Sequence, residues 1–116
     1  MDHPTPAQEL EMIEISLENA KAKVAMADAL ERLHQNKDFK LVFLDHFLGA
    51  EVARTVKLMA APGFQSPEDQ AHLNKFLIAV GQVDQFMMTT FRMGDMALQG
   101  IADDEAAIEE ILEGEV

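Results

Sequence analysis

A three-four spacing of apolar residues is the feature that most limits how this 116-residue chain can fold. Near the N-terminus it sets a heptad seam, which places one side of a helix against another helix. Its members are Leu10, Ile13, Leu17, Ala20, Val24 and Ala27. A second series follows the same rule at Leu73, Phe76, Leu77, Val80, Val83, Met87 and Phe91. Sustained period-two alternation, the signal of strands, is missing, so the sequence predicts an all-α fold.

Helix-start signals give the bounds of the two long helices. Thr5, Pro6 and Gln8 read as a cap, a first-turn proline and a reciprocal cap, which predicts a helix over about 6–35. Ser66 and Pro67 repeat the signal after a Pro-Gly breaker and predict a helix over about 67–98, with a break at Gly100. We expect these two helices to pack antiparallel.

Shorter helices are predicted between and after the long ones. Asp38 is a cap for a helix through Leu48, which Gly49 ends, and another helix follows over about 50–61. Beyond the predicted break, Ile108 and its neighbours form a short acidic C-terminal helix. We expect a single helical domain over 1–116, with flexible ends at 1–5 and 113–116.

Charge is placed unevenly along the chain, whose net charge is −12. Residues 1–19 hold five acids and no base, and residues 101–116 hold seven acids and no base. Phosphate contacts need clustered Lys and Arg, so direct nucleic-acid binding is not expected. The acids have two readings: they solvate exposed helix faces, or they steer a basic partner.

Catalytic and metal-binding patterns are weak in this sequence. The candidate ligands are His3, His34, His46 and His72. Glu68 and His72 are four residues apart and share a helix face, whereas the adjacent Asp45 and His46 point in different directions. Two ligands fall short of a zinc site. Cysteine is absent, and no phosphate-binding glycine loop occurs. We therefore expect a protein that is not an enzyme and has no cofactor or metal. The sequence also lacks an apolar run long enough to span a bilayer, which predicts a soluble protein without a membrane partner.

Two apolar clusters are the candidate contact surfaces. Residues 39–48 are apolar around most of a helix, and residues 85–96 hold more Phe and Met than one seam can use. Such side chains either fill a core or meet a partner, including a second copy in a homo-oligomer. The candidates are Phe43, Phe47, Leu48, Met87, Met88, Phe91, Met93 and Met96.

The run "ADALERLHQNKDFKLVFLDHFLGAEVARTVKLMAAPGFQSPEDQ" resembles a family of small helical proteins of tailed bacteriophages, over roughly residues 27–91. The likeness lies in the order of helices and loops, and it transfers no functional residue. It implies a phage virion component or virion-assembly factor whose partners are other phage structural proteins or itself. The implied location is the host cytoplasm during infection, or the virion. An alternative is an acidic phage inhibitor that mimics nucleic acid and blocks a host defence or transcription protein.

Overall fold

The computed structural model describes residues 3–114, and these are helical almost throughout, with no strand among them. The all-α prediction is confirmed, and the two long helices pack against each other. In chain order the elements are α1 (Pro6–Gln35), α2 (Lys37–Phe39), a π-helix (Lys40–Ala50), α3 (Glu51–Ala60), a 3₁₀ turn (Pro62–Phe64) and α4 (Pro67–Gly114).

The start of α1 is the capping box that the sequence predicts. The Thr5 backbone N–H donates to Gln8 Oε1 at 2.9 Å, and the Gln8 N–H donates to Thr5 Oγ1 at 3.2 Å. Each bond satisfies a backbone donor that has no partner inside the helix. At the start of α4, Ser66 Oγ accepts from the Asp69 N–H at 3.0 Å, so this predicted cap is present as well.

Two glutamine side chains stabilise the turn between α3 and α4 by hydrogen bonds to backbone carbonyls. Gln70 Nε2 donates to the carbonyls of Met59 and Phe64 at 3.0 and 2.9 Å. Gln65 Nε2 donates to the carbonyls of Met59 and Ala61 at 2.9 and 2.8 Å. The last carbonyls of a helix lack intrahelical donors, so both side chains supply a donor to Met59 in the last turn of α3.

The segment between α1 and the 3₁₀ turn differs from the prediction of two helices separated at Gly49. Asn36 is the N-cap, because its Oδ1 accepts from the N–H groups of Asp38 and Phe39, both at 3.0 Å. The predicted cap, Asp38, lies inside the first turn. Gly49 does not end a helix, since no described glycine has the positive φ that a glycine stop uses. Helical backbone therefore runs on from Lys37 to Ala60.

Helix α4 also extends further than predicted. It runs from Pro67 to Gly114 without the break expected at Gly100, so the predicted acidic C-terminal helix is the last part of α4. The three-four spacing explains the continuity, because it carries on through Gly94, Ala97, Ile101, Asp104, Ile108 and Ile111. Of the ends expected to be flexible, Glu113 and Gly114 lie in α4, while residues 1, 2, 115 and 116 fall outside the described residues.

The described chain divides into two compact units. The first combines residues up to Ala29 with residues from Thr90 onward, and the second spans Leu30–Thr89. In the first unit all six predicted seam residues of α1, from Leu10 to Ala27, are half-buried while most of their neighbours are exposed. The seam prediction for α1 therefore agrees with the observed burial.

The two helical segments of the first unit match in register. Ala27 lies against Gly94, and from there each segment has a series of buried or half-buried positions at the same three-four intervals, back to Leu10 on α1 and forward to Ile111 on α4. Both series span 18 residues. This matching indicates antiparallel packing in which Ala27 faces Gly94 and Leu10 faces Ile111.

The second unit holds a small core. Val80 and Met87 of α4 are buried, as is Thr55 of α3, whose hydroxyl donates to the Glu51 carbonyl at 2.7 Å. Most other apolar side chains of this unit are half-buried or exposed. The chain by itself therefore covers only part of its apolar surface.

Candidate protein-contact sites

A row of rings runs along one side of the second unit. Phe39 stacks on Phe43 with ring centroids 5.0 Å apart, and Phe43 stacks on Phe47 at 5.2 Å. Phe47 meets Phe76 edge-on at 6.0 Å, and His34 lies 5.6 Å from Phe39. All five rings are half-buried, and their contacts connect α1, α2, the π-helix and α4 within this unit.

The π-helix explains why this row leaves a second apolar face outside. Its wider turn is seen at its end, where the Glu51 N–H donates to the carbonyl of His46, five residues earlier. Phe43 and Phe47 of the π-helix belong to the row of rings, whereas Leu41 and Val42 are 63% and 65% exposed. A π-helix of 11 residues is unusual, because π-geometry mostly occurs as single-turn bulges and often at functional sites.

The predicted contact residues separate into internal and external groups. Phe43, Phe47, Leu48 and Phe91 are half-buried and Met87 is buried, so these side chains pack within the chain. Met88, Met93 and Met96 are exposed. The external group is available to a partner, as are apolar residues that the sequence analysis did not select, such as Met12 and Leu41.

An open groove of about 510 Å³ lies in the first unit between α1 and α4. Its apolar lining includes Met12 and Ile15 on α1, and Met93 and Met96 on α4. Lys23 is the charged side chain in the lining. An apolar groove flanked by exposed methionines is typical of a surface that receives a helix.

Close packing of the two helices occurs beside this groove. A Cβ atom built on Gly94 would lie nearer the Cβ of Ala27 than the 3.0 Å that real Cβ atoms respect. Gly94 therefore sets the distance between α1 and α4 in the first unit.

A polar cluster joins the π-helix to α3. Arg54 Nη2 lies 2.9 Å from Glu51 Oε2, and His46 Nε2 lies 3.5 Å from Glu51 Oε1. The hydrogen bond from Arg54, helped by its positive charge, holds the pKa of the Glu51 carboxyl below its ordinary value, although partial burial opposes the shift. The same bond raises the pKa of Arg54. This cluster is a surface ion pair. It does not align a nucleophile, because the nearby Thr55 hydroxyl donates to a backbone carbonyl.

His72 lines two small hollows of the second unit. One, of about 320 Å³, is bordered by Glu68, Asp69 and Lys75, and the other, of about 170 Å³, includes Arg54 and Phe76. Glu68 and His72 do share a helix face, as predicted. Across residues 3–114, no group of three or more His, Cys, Asp or Glu side chains could hold a metal ion.

Acidic residues from both ends of the sequence belong to the same unit. The antiparallel register places the early acids of α1, such as Glu9 and Glu14, at the same end of this unit as the late acids of α4, such as Glu109 and Glu113. One of the acids, Asp104, occupies a seam position, and its Oδ2 is buried without a hydrogen-bond partner among the described residues.

Comparisons with known proteins give no relative: no family model, curated protein or solved structure matches this chain. Within the described part of the chain, none of the helices has the length and apolarity required to cross a membrane.

Sequence reasoning missed several residues that position these surfaces. The sequence could have identified Asn36 as the N-cap, because an Asn two residues before Asp38 is an equally good cap. It could also have identified Gly94 and Asp104 as seam positions, since both continue the three-four spacing past Phe91. No sequence signal points to Gln65 and Gln70, because their hydrogen-bond acceptors depend on the path of the turn.

Proposed function

We propose that this protein is a non-enzymatic bacteriophage virion component or virion-assembly factor that acts through helix-mediated protein–protein contacts. The observation that carries the proposal is the apolar surface left outside by the chain's own packing. It includes Val42 on the π-helix and Met96 on α4, with exposed fractions of 65% and 67%. Exposed apolar patches of this kind are typical of interaction surfaces.

The phage setting comes from the resemblance over residues 27–91. That region contains the row of rings and the outer face of the π-helix, so the proposal locates one contact surface there. A particle or assembly protein needs helix faces for contact more than a reaction centre. This accords with Asn36 acting as a helix cap, the Thr55 hydroxyl donating to a backbone carbonyl, and Arg54 pairing with Glu51.

Fractionation of infected cells tests this function. Particles and assembly intermediates are separated on a gradient, and the protein is measured in each fraction by mass spectrometry. We expect it to co-sediment with one of them. Absence from particles and from every intermediate would reject the proposal.

Two variants test whether the exposed face of the π-helix makes this contact. Val42→Asp places a charge on the exposed face of the π-helix and should remove the protein from the fraction. Lys57→Asp, on an exposed position of α3, is the control and should leave it there. Equal incorporation of both variants would show that the π-helix face is not the contact.

A second candidate function is favoured by one observation. The acids of the two sequence ends lie together in the first unit, instead of forming two separate charged tails. A concentrated negative field is what an inhibitor would use to occupy the basic groove of a nucleic-acid-binding host protein. Pull-downs from host lysate at low and moderate salt test this, and recovery of no nucleic-acid-binding protein at either salt would reject it.

A further inference from the structure

We propose that the groove of the first unit receives α1 of a second copy of this chain, so that two copies form a four-helix bundle with antiparallel α1 helices and Ser16 beside the two-fold axis. This names a partner for the contact function proposed above and rests on it.

The first argument is the shape of the groove. It lies open between α1 and α4, and its apolar lining of Met12, Ile15, Met93 and Met96 remains exposed in the single chain. Two packed helices bury one stripe each, whereas a four-helix bundle buries a wider face of every helix. A second pair of helices would cover this lining.

The second argument is self-complementarity. Six α1 residues line the groove, and four of them, Met12, Ser16, Asn19 and Lys23, form a stripe at four-three-four spacing beside Ile15 and Ala20. A two-fold contact uses the same patch on both copies, so one stripe serves both as the groove wall and as the inserted face. Ser16 and Asn19 are short, which allows two α1 helices to approach at the centre of the stripe.

The third argument is charge, and it fixes the direction. Glu9 and Lys23 lie seven residues before and after Ser16, so both share its face of the helix. A two-fold axis at Ser16 places each Lys23 opposite Glu9 of the other copy. A parallel arrangement would set Glu9 against Glu9 and align the acidic first half of α1 with itself, which is repulsive in a chain of net charge −12.

The mass of the full chain in solution is the first test, measured by light scattering and sedimentation across a concentration series. A dimer at micromolar concentration is expected, and a monomer or a higher oligomer overturns the inference. Met96→Asp should convert the dimer to monomer. Leu98→Asp, at a similarly exposed site outside the groove lining, should leave it dimeric. Circular dichroism shows whether each variant remains helical.

Charge reversal tests the direction of the helices. Glu9→Lys and Lys23→Glu should each weaken dimerisation by about tenfold, because both leave like charges in contact. The double variant restores opposite charges and should regain wild-type affinity. Glu11→Lys with Lys21→Glu, placed off the groove, is the control pair. A double variant that stays weak overturns the antiparallel arrangement.

Cross-linking tests the position of the axis. The natural chain has no cysteine, so Ser16→Cys introduces a single thiol. It should form a disulfide between copies readily, since Cα atoms must be within about 7 Å, whereas Glu11→Cys should not. Equal rates would overturn the placement of the axis. A dimer that fails to join particles rejects only the proposed function, and a monomer found in particles rejects only this inference.

Discussion

Gly94 lies against Ala27 so closely that a side-chain carbon at Gly94 would overlap the methyl group of Ala27. Both residues occupy seam positions of the first unit, where α1 and α4 pack. The contact makes glycine a packing requirement inside a helix, where it would otherwise be unfavourable.

Gly94→Ala should lower the free energy of unfolding by about 1–3 kcal/mol, because overpacking outweighs the higher helix propensity of alanine. Urea denaturation measures the change. Gly81→Ala is the matched control, since nothing lies within 4 Å of a Cβ at that position, and it should be stabilising. Adding Ala27→Gly to Gly94→Ala removes the overlapping methyl and should recover part of the loss. Equal effects of the two alanine substitutions would contradict the close approach.

Phe43→Ala should destabilise the chain by about 2 kcal/mol, less than the 3–5 kcal/mol typical of fully enclosed phenylalanine. Phe43 stacks on two rings but is only half-buried, so less apolar area is lost. Chemical denaturation gives the value. Leu41→Ala, on the exposed face of the same π-helix, should change stability by no more than about 0.5 kcal/mol. A larger effect of Leu41 than of Phe43 would show that the inner and outer faces are reversed.

Asp104→Leu should stabilise the protein by about 1–2 kcal/mol. The substitution removes a buried carboxylate oxygen that has no partner among the described residues, and it restores an apolar side chain to the seam. Glu105→Leu, one residue along and exposed, is the comparison and should be nearly neutral. Thermal or urea unfolding decides between them, and a destabilised Asp104→Leu variant would mean that the carboxylate has a partner in solution.

The pKa of Glu51 should lie below its ordinary value of 4.5 in the folded protein. The ionised form is favoured by folding, so its contribution to stability is present above that ordinary value and is lost as pH falls through the folded pKa. Carboxyl NMR titration measures it. Arg54→Met should return the pKa towards 4.5, because it removes the hydrogen bond and the charge that lower it. Lys57→Met removes a charge elsewhere on α3 and should leave the pKa lowered.

Local signals predicted the elements that depend on local chemistry. The capping box at Thr5 and Gln8 and the cap at Ser66 rest on a few neighbouring residues, and both are present. Gly49 and Gly100 were misread because a glycine can stop a helix or lie within one. Which occurs depends on what packs around it, and the three-four pattern on both sides of Gly100 was the better guide.

The contact surfaces were predicted less well. The Phe and Met clusters were recognised, but the π-helix that turns Phe43 inward and Leu41 outward has no signature in the sequence. The groove beside Met12 and Met96 needs the register of two segments about 80 residues apart, which single-helix periodicity does not give.

The equal intervals on the two segments of the first unit couple their lengths. An insertion or deletion of one residue in α1 between Leu10 and Ala27 would rotate every earlier seam position by about 100° relative to α4. A compensating change of the same size in α4, between Gly94 and Ile111, would bring the two series back into step. Homologues of this chain should therefore gain or lose residues in these stretches jointly, and most readily by sevens, so that length variation itself becomes a record of which residues face each other.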